Sequence, residues 1–510
     1  MNALLGVRRV RIPRQRGTGP GDAPAARDPY WYVAGAVLLF AVAAAIQHPW
    51  SGDLGMHIAT IDRLRISLTH PGHPLVEADV PSPYYTPYTV LLSFVGRLTG
   101  WSTVVVLAVA GPLVVALLLY GLHAFVRTLT PRRWAPLFAL AAVMLLWGPR
   151  PRVWSGFVNL WSLPLTMAYP STFALGLTLV FWAWLSRVLD RHPSWPAYLG
   201  LGFLGAVLAL THQFTFGMAA LGAAALVAVR IGALAPATWL WLGVAAAEWL
   251  LLVLVWPYYP FFRLFGVTGL DEIHHYLYDQ PWLYYGLIVV ALPALWLRAR
   301  RTARDPLVLL FVAALVLVTI GGLTGRYALG RMWPAVILPA QLAVAIELAG
   351  ARPAGRLRRA WVAVTALACL AGFAIQSPHL LYAVPRSWLP GPLAHFSTAW
   401  PDYAWIAPYV RPGDVVVTSD YYAIRSVPGF GGRTIPPAWP DAFLGDQRWR
   451  WHELAVIHDD RTDAATRRAL LAKYHAKWVL EVPGSWTISA GQTPVAIGPL
   501  GQRLYRVPGT

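Results

Sequence analysis

The chain has 510 residues, 57% of them hydrophobic and only 13% charged, and its mean hydropathy is +0.50. Soluble globular proteins are about a quarter charged, so half that fraction, together with long apolar runs, excludes a soluble enzyme and places the chain in the integral membrane class. The formal charge of +18 does not mark a nucleic-acid partner, because lysine occurs only at Lys473 and Lys477 and most arginines flank apolar spans instead of forming a basic stripe.

Residues 1–29 are basic, with Arg8, Arg9, Arg11, Arg14, Arg16 and Arg27, and carry no apolar segment followed by a small-residue cleavage site. They read as a cytoplasmic tail, not a signal peptide. Crossing the hydrocarbon takes about 20 mainly apolar residues. Eleven candidate spans follow, at 30–47, 101–123, 134–148, 171–187, 195–211, 213–229, 238–256, 282–298, 306–323, 332–349 and 360–376. The lone cysteine, Cys369, lies inside the last of them, so no internal disulfide forms.

Alternate connections are basic, as the positive-inside rule requires of cytoplasmic loops. They carry Arg127, Arg132 and Arg133; Arg187 and Arg191; Arg230; Arg298, Arg300, Arg301 and Arg304; and Arg352, Arg356, Arg358 and Arg359. Reading 195–229 as a single helix would invert every later loop, which favours a turn at Thr211, His212 and Gln213. An odd number of spans then places residues 377–510 outside. There the chain changes character, with turns (RPGD, PGFGG), strand-like runs at 415–418 and 478–482, and an amphipathic helix at 463–475. The predicted fold is an α-helical polytopic membrane protein with a small extracytoplasmic α/β domain.

The first outer loop, 48–100, is the most polar stretch near the start of the chain. Leu54, Ile58, Ile61, Leu64 and Leu68 recur at helical spacing opposite Asp62, Arg63 and Arg65, a pattern for a helix lying in the interface plane. Asp53 stands at its start, where a carboxylate commonly caps the exposed backbone N–H groups. His57, one helical turn on, shares its face. His70 and His73 (HPGHP) read as a turn. The loop ends in a Pro/Tyr cluster, SPYYTPY, which contains Tyr84 and Tyr85 and leads into a short apolar run ending at Gly100.

This arrangement resembles the GT-C superfamily, membrane glycosyltransferases that use polyprenyl-phosphate sugars, such as protein O-mannosyltransferases, aminoarabinose transferases and cell-wall arabinosyltransferases. The likeness covers roughly residues 30–376. It rests on a cytoplasmic start, a long first outer loop with an acidic residue just after span one, an interfacial helix, the Pro/Tyr cluster and an outer C-terminal domain. Members often carry an acidic pair in this loop, whereas here Leu54 follows Asp53. The stretch YYAIRSVPGFGGRTIPPAW, followed by a helix and AKWVLEV, is similar to the outer domains of bacterial members, which bind the acceptor glycan or cap the active site.

The resemblance implies transfer of a sugar from a polyprenyl-phosphate donor to an extracytoplasmic glycan, lipid or protein, at the plasma membrane. Asp53 is then the general base and inversion the outcome, because a positioned carboxylate accepts the acceptor's hydroxyl proton while lipid phosphate leaves as a stable anion. Partial burial is expected to raise its pKa and strengthen it as a base. His57 orients Asp53, binds the acceptor, or helps hold a divalent ion; two ligands alone do not make a metal site, and no cofactor is required. His212 and Gln213 resemble a substrate-lining break, or else satisfy a tight helix turn.

The aromatic loop near 257–281 offers Asp271, Glu272 and His274 for sugar hydroxyls, while its rings also suit interface anchoring. Arg326 and Arg331 break the positive-inside pattern, and a guanidinium fork suits a lipid phosphate. The alternative for both is snorkelling to headgroups, and Arg150 and Arg152 are the next outer arginines. Two other readings compete. Glu248, an ionisable group inside a span, fits a lipid or glycolipid transporter or flippase. A non-catalytic assembly protein would leave Asp53 and the outer arginines far apart and exposed.

Overall fold

The computed structural model describes residues 28–191, 194–302, 304–350, 355–397, 400–484 and 492–508. The basic tail up to Arg27 and the loop arginine Arg352 lie outside the described residues.

Each of the eleven spans corresponds to a helix. Among the described residues, eight are long and apolar enough to cross a membrane: Thr103–Leu129, Pro170–Arg191, Gln213–Arg230, Pro236–Leu254, Pro281–Arg301, Pro306–Thr324, Tyr327–Ala349 and Arg356–Ala383. Three shorter apolar helices, Tyr30–Ile46, Ala135–Leu145 and Pro196–Thr211, fill the remaining places. Prolines in the first turns at Pro196, Pro236 and Pro306 start their helices where a missing N–H costs nothing. Left-handed Gly100 and Gly325 end theirs.

The chain turns at His212, the one extended residue between Pro196–Thr211 and Gln213–Arg230. Gly202, Gly205 and Leu208 of the first helix line the same apolar cavity as Phe216, Ala219 and Ala223 of the second, so the two run back along one another. Charge pairs at the far end agree. Arg230 bonds Asp190 at 2.8 Å, Arg298 bonds Asp305 at 2.7 Å, and Arg301 bonds the buried Glu347 at 2.7 Å. Arginine-rich turns therefore gather at one end of the bundle, opposite the His212 turn.

The first loop forms the helix Leu54–Ile66, but the helix does not lie on a surface. Gly55 to Ile61 and Leu64 are all buried, because the helix is covered on one side by Pro87–Thr99 and Thr103–Leu129 and on the other by residues 423–430. Leu68 falls beyond its end. The surface reading fails because the cover comes from the distant C-terminal segment.

That segment carries a four-stranded sheet in the order β1-β2-β4-β3, with β1 Val415–Val417, β2 Ala476–Glu481, β3 Ala496–Ile497 and β4 Arg503–Arg506. β1 and β2 pair in parallel, and the other neighbours pair antiparallel. The helix Ala464–Lys473 lies where an amphipathic helix was predicted, and Asp463 caps it by accepting from the N–H groups of Ala465 and Thr466. The segment docks on the first loop in several places. Thr434 N–H donates to the Leu75 carbonyl at 2.9 Å, Trp50 stacks on Phe430, and buried His73 bonds Asp441 at 3.1 Å. His73 thus belongs to a turn that also clamps two distant parts of the chain.

Candidate active site

At the end of the bundle marked by the His212 turn, a cavity of about 270 Å³ opens between the first loop, the bundle and the C-terminal segment. Its lining includes Asp53, His57, Tyr84, His212, Gln213, His274 and Arg331, joined by Tyr169, Trp154, Tyr421, Arg425 and Trp439. Seven residues singled out from four separate stretches of sequence therefore share one space.

Asp53 precedes the Leu54–Ile66 helix but does not cap it with its side chain. Instead Oδ1 accepts from Arg425 Nε at 3.0 Å and Trp439 Nε1 at 2.8 Å, and Arg425 Nη2 also lies 2.8 Å away. Oδ2 has no hydrogen-bond partner among the described residues. Left-handed Gly52 makes this placement possible, since a Cβ there would lie 2.8 Å from Tyr169 Oη. Burial raises the Asp53 pKa, yet the Arg425 charge and the N–H donors outweigh it and hold the carboxyl below its ordinary value. The expected upward shift is thus corrected: the nearest cation enters from the far end of the chain.

His57 is buried, packs edge-on against Tyr169, and leaves Nδ1 without a partner. Burial pushes its pKa down to about 4, against the pull of Asp53. His274 donates from Nδ1 to the Leu270 carbonyl and faces Phe214, and burial with the nearby Arg331 lowers it to about 3. His212 caps its helix, with Nδ1 3.2 Å from Thr215 N, and holds Nε2 3.3 Å from Ser155 Oγ and 3.2 Å from Arg331 Nη2. Burial, and then the Arg331 charge, keep this imidazole neutral as well.

Arg331 is only 8% exposed and forms no ion pair with a carboxylate among the described residues. Its guanidinium lies over the Phe214 ring at 4.7 Å and near Trp154 at 6.0 Å, and Nε has no partner. A buried guanidinium without a carboxylate partner is chemically suited to pair with an anion.

Four of the predicted site residues lie elsewhere. Tyr85 is buried and spends its hydroxyl on the Gly72 carbonyl at 2.7 Å. Asp271 accepts from the Ala328 N–H at 2.7 Å, tying the aromatic loop to the turn before Arg331. Glu272 and Arg326 are exposed and outside the lining. Arg152 is laid on the Tyr284 ring at 3.8 Å and bonded to the Tyr276 carbonyl, and Arg150 does not reach the cavity. Among the described residues no three His, Cys, Asp or Glu side chains converge on a point. Glu248 stands apart on Pro236–Leu254, its Oε2 buried without a partner against Gly202.

Sequence reasoning did not find Arg425, Trp439, Tyr421, Trp154 or Tyr169. Arg425 and Trp439 lie 372 and 386 positions from Asp53, so no local spacing connects them. The one available signal was an arginine without an acidic neighbour in a stretch rich in aromatics and glycine.

No protein-family model and no curated protein matches the chain. Among solved structures, the arabinofuranosyltransferase AftD from Mycobacteria superposes with a TM-score of 0.55 at 16% identity, over 95% of this chain and 40% of that one. An oligosaccharyltransferase from Archaeoglobus fulgidus aligns over 89% of this chain and 69% of its own, with a TM-score of 0.47 at 12% identity. The chain thus spans about 40% of the length of the arabinofuranosyltransferase. At this identity the first likeness shows the fold alone, one shared with that arabinofuranosyltransferase and in keeping with the polytopic helical architecture expected from the sequence.

Proposed function

We propose that the chain is a membrane glycosyltransferase that moves a sugar from a polyprenyl-phosphate donor to an extracytoplasmic acceptor, with inversion and with Asp53 as general base. The observation that carries this reading is that one cavity holds Asp53, with its Oδ2 unpartnered, together with a buried arginine, Arg331, that lacks a carboxylate partner. The charge balance agrees. Among the lining residues are one carboxylate, two arginines and three histidines held neutral, a net charge of one positive unit, and a polyprenyl-phosphate sugar is a phosphodiester bearing one negative charge.

In this reading the acceptor hydroxyl gives its proton to Asp53 Oδ2 as its oxygen bonds the anomeric carbon. The bond from that carbon to the phosphate oxygen breaks, and its electron pair leaves on the phosphate, beside Arg331. A depressed pKa makes Asp53 a weaker base but keeps it ionised, and an inverting step with so good a leaving group needs the proton accepted only late. His57 and Tyr84 flank the acceptor side, while His212, Gln213 and His274 surround the phosphate side. Tyr85, Asp271, Glu272 and Arg326 take no substrate role.

The arginine-rich end of the bundle, with residues 1–29, is assigned to the cytoplasm of a plasma-membrane protein, and the cavity and residues 377–510 to the outer face. Glu248, on which a transporter reading turns, lies outside the cavity. The test is to incubate membranes with a panel of polyprenyl-phosphate sugars and compare wild type with Asp53→Asn. Loss of about 10²–10⁴-fold is expected, the usual contribution of a general base. A correctly inserted Asp53→Asn protein that transfers at the wild-type rate refutes the base, and a wild type that accepts no donor refutes the activity.

A further inference from the structure

We propose that Arg425, held in a cage of three aromatic rings, is the positioning residue of Asp53 and fixes the carboxylate so that Oδ2 is the oxygen presented to the acceptor hydroxyl. The proposal rests on the assignment of Asp53 as base.

The cage is formed by Trp400, Tyr421 and Trp439, whose ring centres lie 4.7, 4.8 and 4.9 Å from the guanidinium carbon. A cation over aromatic faces is attracted by each ring's quadrupole, and three faces at once leave it little room to turn. Two of the rings are themselves anchored. Trp400 Nε1 donates to Ser426 Oγ at 2.8 Å, and Trp439 Nε1 donates to Asp53 Oδ1 at 2.8 Å. Three N–H donors therefore crowd onto Oδ1, two from Arg425 and one from Trp439, while Oδ2 receives none among the described residues. A proton arriving from the cavity finds free lone pairs on one oxygen only.

A plain tether between the C-terminal segment and the first loop would explain an ion pair equally well, but the segment is already tethered without it. Thr434 bonds Leu75, His73 bonds Asp441, Trp50 stacks on Phe430, and a Cβ at Gly429 would lie 2.7 Å from Gly55 Cα. None of these contacts needs Arg425. The cage and the pair are additional, and both Arg425 and Asp53 line the cavity. Besides Arg425, the titratable groups that act on or feel Asp53 are His57 from its own helix, Tyr84, Tyr169, Tyr421 and Arg331. Arg425 is the cation in contact with it.

The test uses the full-length protein in membranes, with Arg425→Gln and Arg425→Lys and two readouts. The first is the pH profile of sugar transfer from a polyprenyl-phosphate sugar. In Arg425→Gln kcat is expected to fall about 10²-fold, the cost of a misplaced catalytic group. The acid limb is expected to move up by about 1–3 pH units, the shift an adjacent opposite charge commonly causes. Arg425→Lys returns the charge but not the planar fork, so the limb moves back toward wild type while kcat stays low.

The second readout is the pH midpoint for coupling a small amine to Asp53 with a carbodiimide, read by mass spectrometry, which needs no turnover. Its midpoint should rise in Arg425→Gln and return in Arg425→Lys. A protein that transfers sugar with an unshifted limb, an unshifted coupling midpoint or an unchanged kcat in Arg425→Gln overturns the role given to Arg425 and leaves the glycosyltransferase reading standing. A wild type that transfers from no donor, with the coupling midpoint still shifted, overturns the base assignment and with it the presentation of Oδ2.

Discussion

Gly55→Ala tests whether the cavity depends on the close seating of the C-terminal segment. Gly55 is the second residue of the Leu54–Ile66 helix, and a Cβ there would overlap the Arg425 carbonyl oxygen and come within 3.0 Å of the Ser426 carbonyl oxygen and 3.1 Å of Ser426 Cα. All three atoms belong to backbone, so no side chain can swing aside. Restoring ordinary contact of about 3.5 Å requires the helix and the segment to separate by about 1 Å. That displacement falls directly on the pair between Asp53 and Arg425, now 2.8 to 3.0 Å, and a misplacement of this size costs roughly 10²-fold in rate.

The stability change has a telling sign. Glycine to alanine gains at most about 1 kcal/mol from helix propensity, whereas overpacking costs about 1–3 kcal/mol. The net result should be a protein no more stable than wild type and about 10²-fold slower. Gly35→Ala in the first span, where a Cβ meets nothing within 4 Å, is the control and should keep full activity. Thermal unfolding in detergent and donor-dependent transfer measure the two effects. A Gly55→Ala protein with wild-type kcat and raised stability would refute the reasoning.

Two further outcomes follow from the cavity. Burial lowers His57 to about 4 and His274 to about 3 and holds His212 neutral, while Asp53 stays ionised. Each folded pKa lies below its unfolded value, so none of these groups changes charge between about pH 5.5 and 8, and kcat/KM should be flat there. An inflection near 6.5 that vanishes in His57→Gln would contradict this. Tyr85→Phe removes the buried hydroxyl that bonds Gly72. It should cost about 1 kcal/mol of stability and leave transfer unchanged, and a loss of rate without a loss of stability would restore Tyr85 to the site.

The bundle was legible because crossing a bilayer imposes a length on every span and arginines mark one side of it. The His212 turn was legible for the same reason, since a straight helix there would have inverted all later loops. The site was less so. Arg326 and Arg331 break the charge pattern equally, and only the turn Tyr327–Met332 decides that Arg326 is exposed and Arg331 buried in the cavity. Asp271 and Glu272 looked like sugar ligands, but one serves a backbone N–H and the other is exposed outside the cavity lining. The interfacial helix and the Asp53 pKa were misjudged from one cause. Both are set by the segment around Arg425, and nothing near Asp53 in the sequence announces a partner so far along the chain.

Arg331 should act on the rate of transfer more than on donor affinity. In the proposed reaction the donor phosphate is a diester with one negative charge. When its bond to the sugar breaks it becomes a monoester, whose second pKa is near 6 and whose charge at pH 7 is about −1.5 to −2. Charge on the phosphate therefore grows along the reaction, and a cation that is buried, fixed against Phe214 and Trp154 and free of a carboxylate partner gains attraction as it does. Interactions that strengthen toward the transition state raise kcat, whereas those equal in both states change only KM. Removing one preorganised group of this kind costs about 10²–10³-fold in kcat. Arg331→Gln should show that loss with KM for a polyprenyl-phosphate sugar changed by less than about tenfold, and Arg331→Lys should recover part of it as a point charge without the fork. If the loss falls in KM while kcat holds, Arg331 merely binds the diester, and the growth of charge beside it does not drive the step.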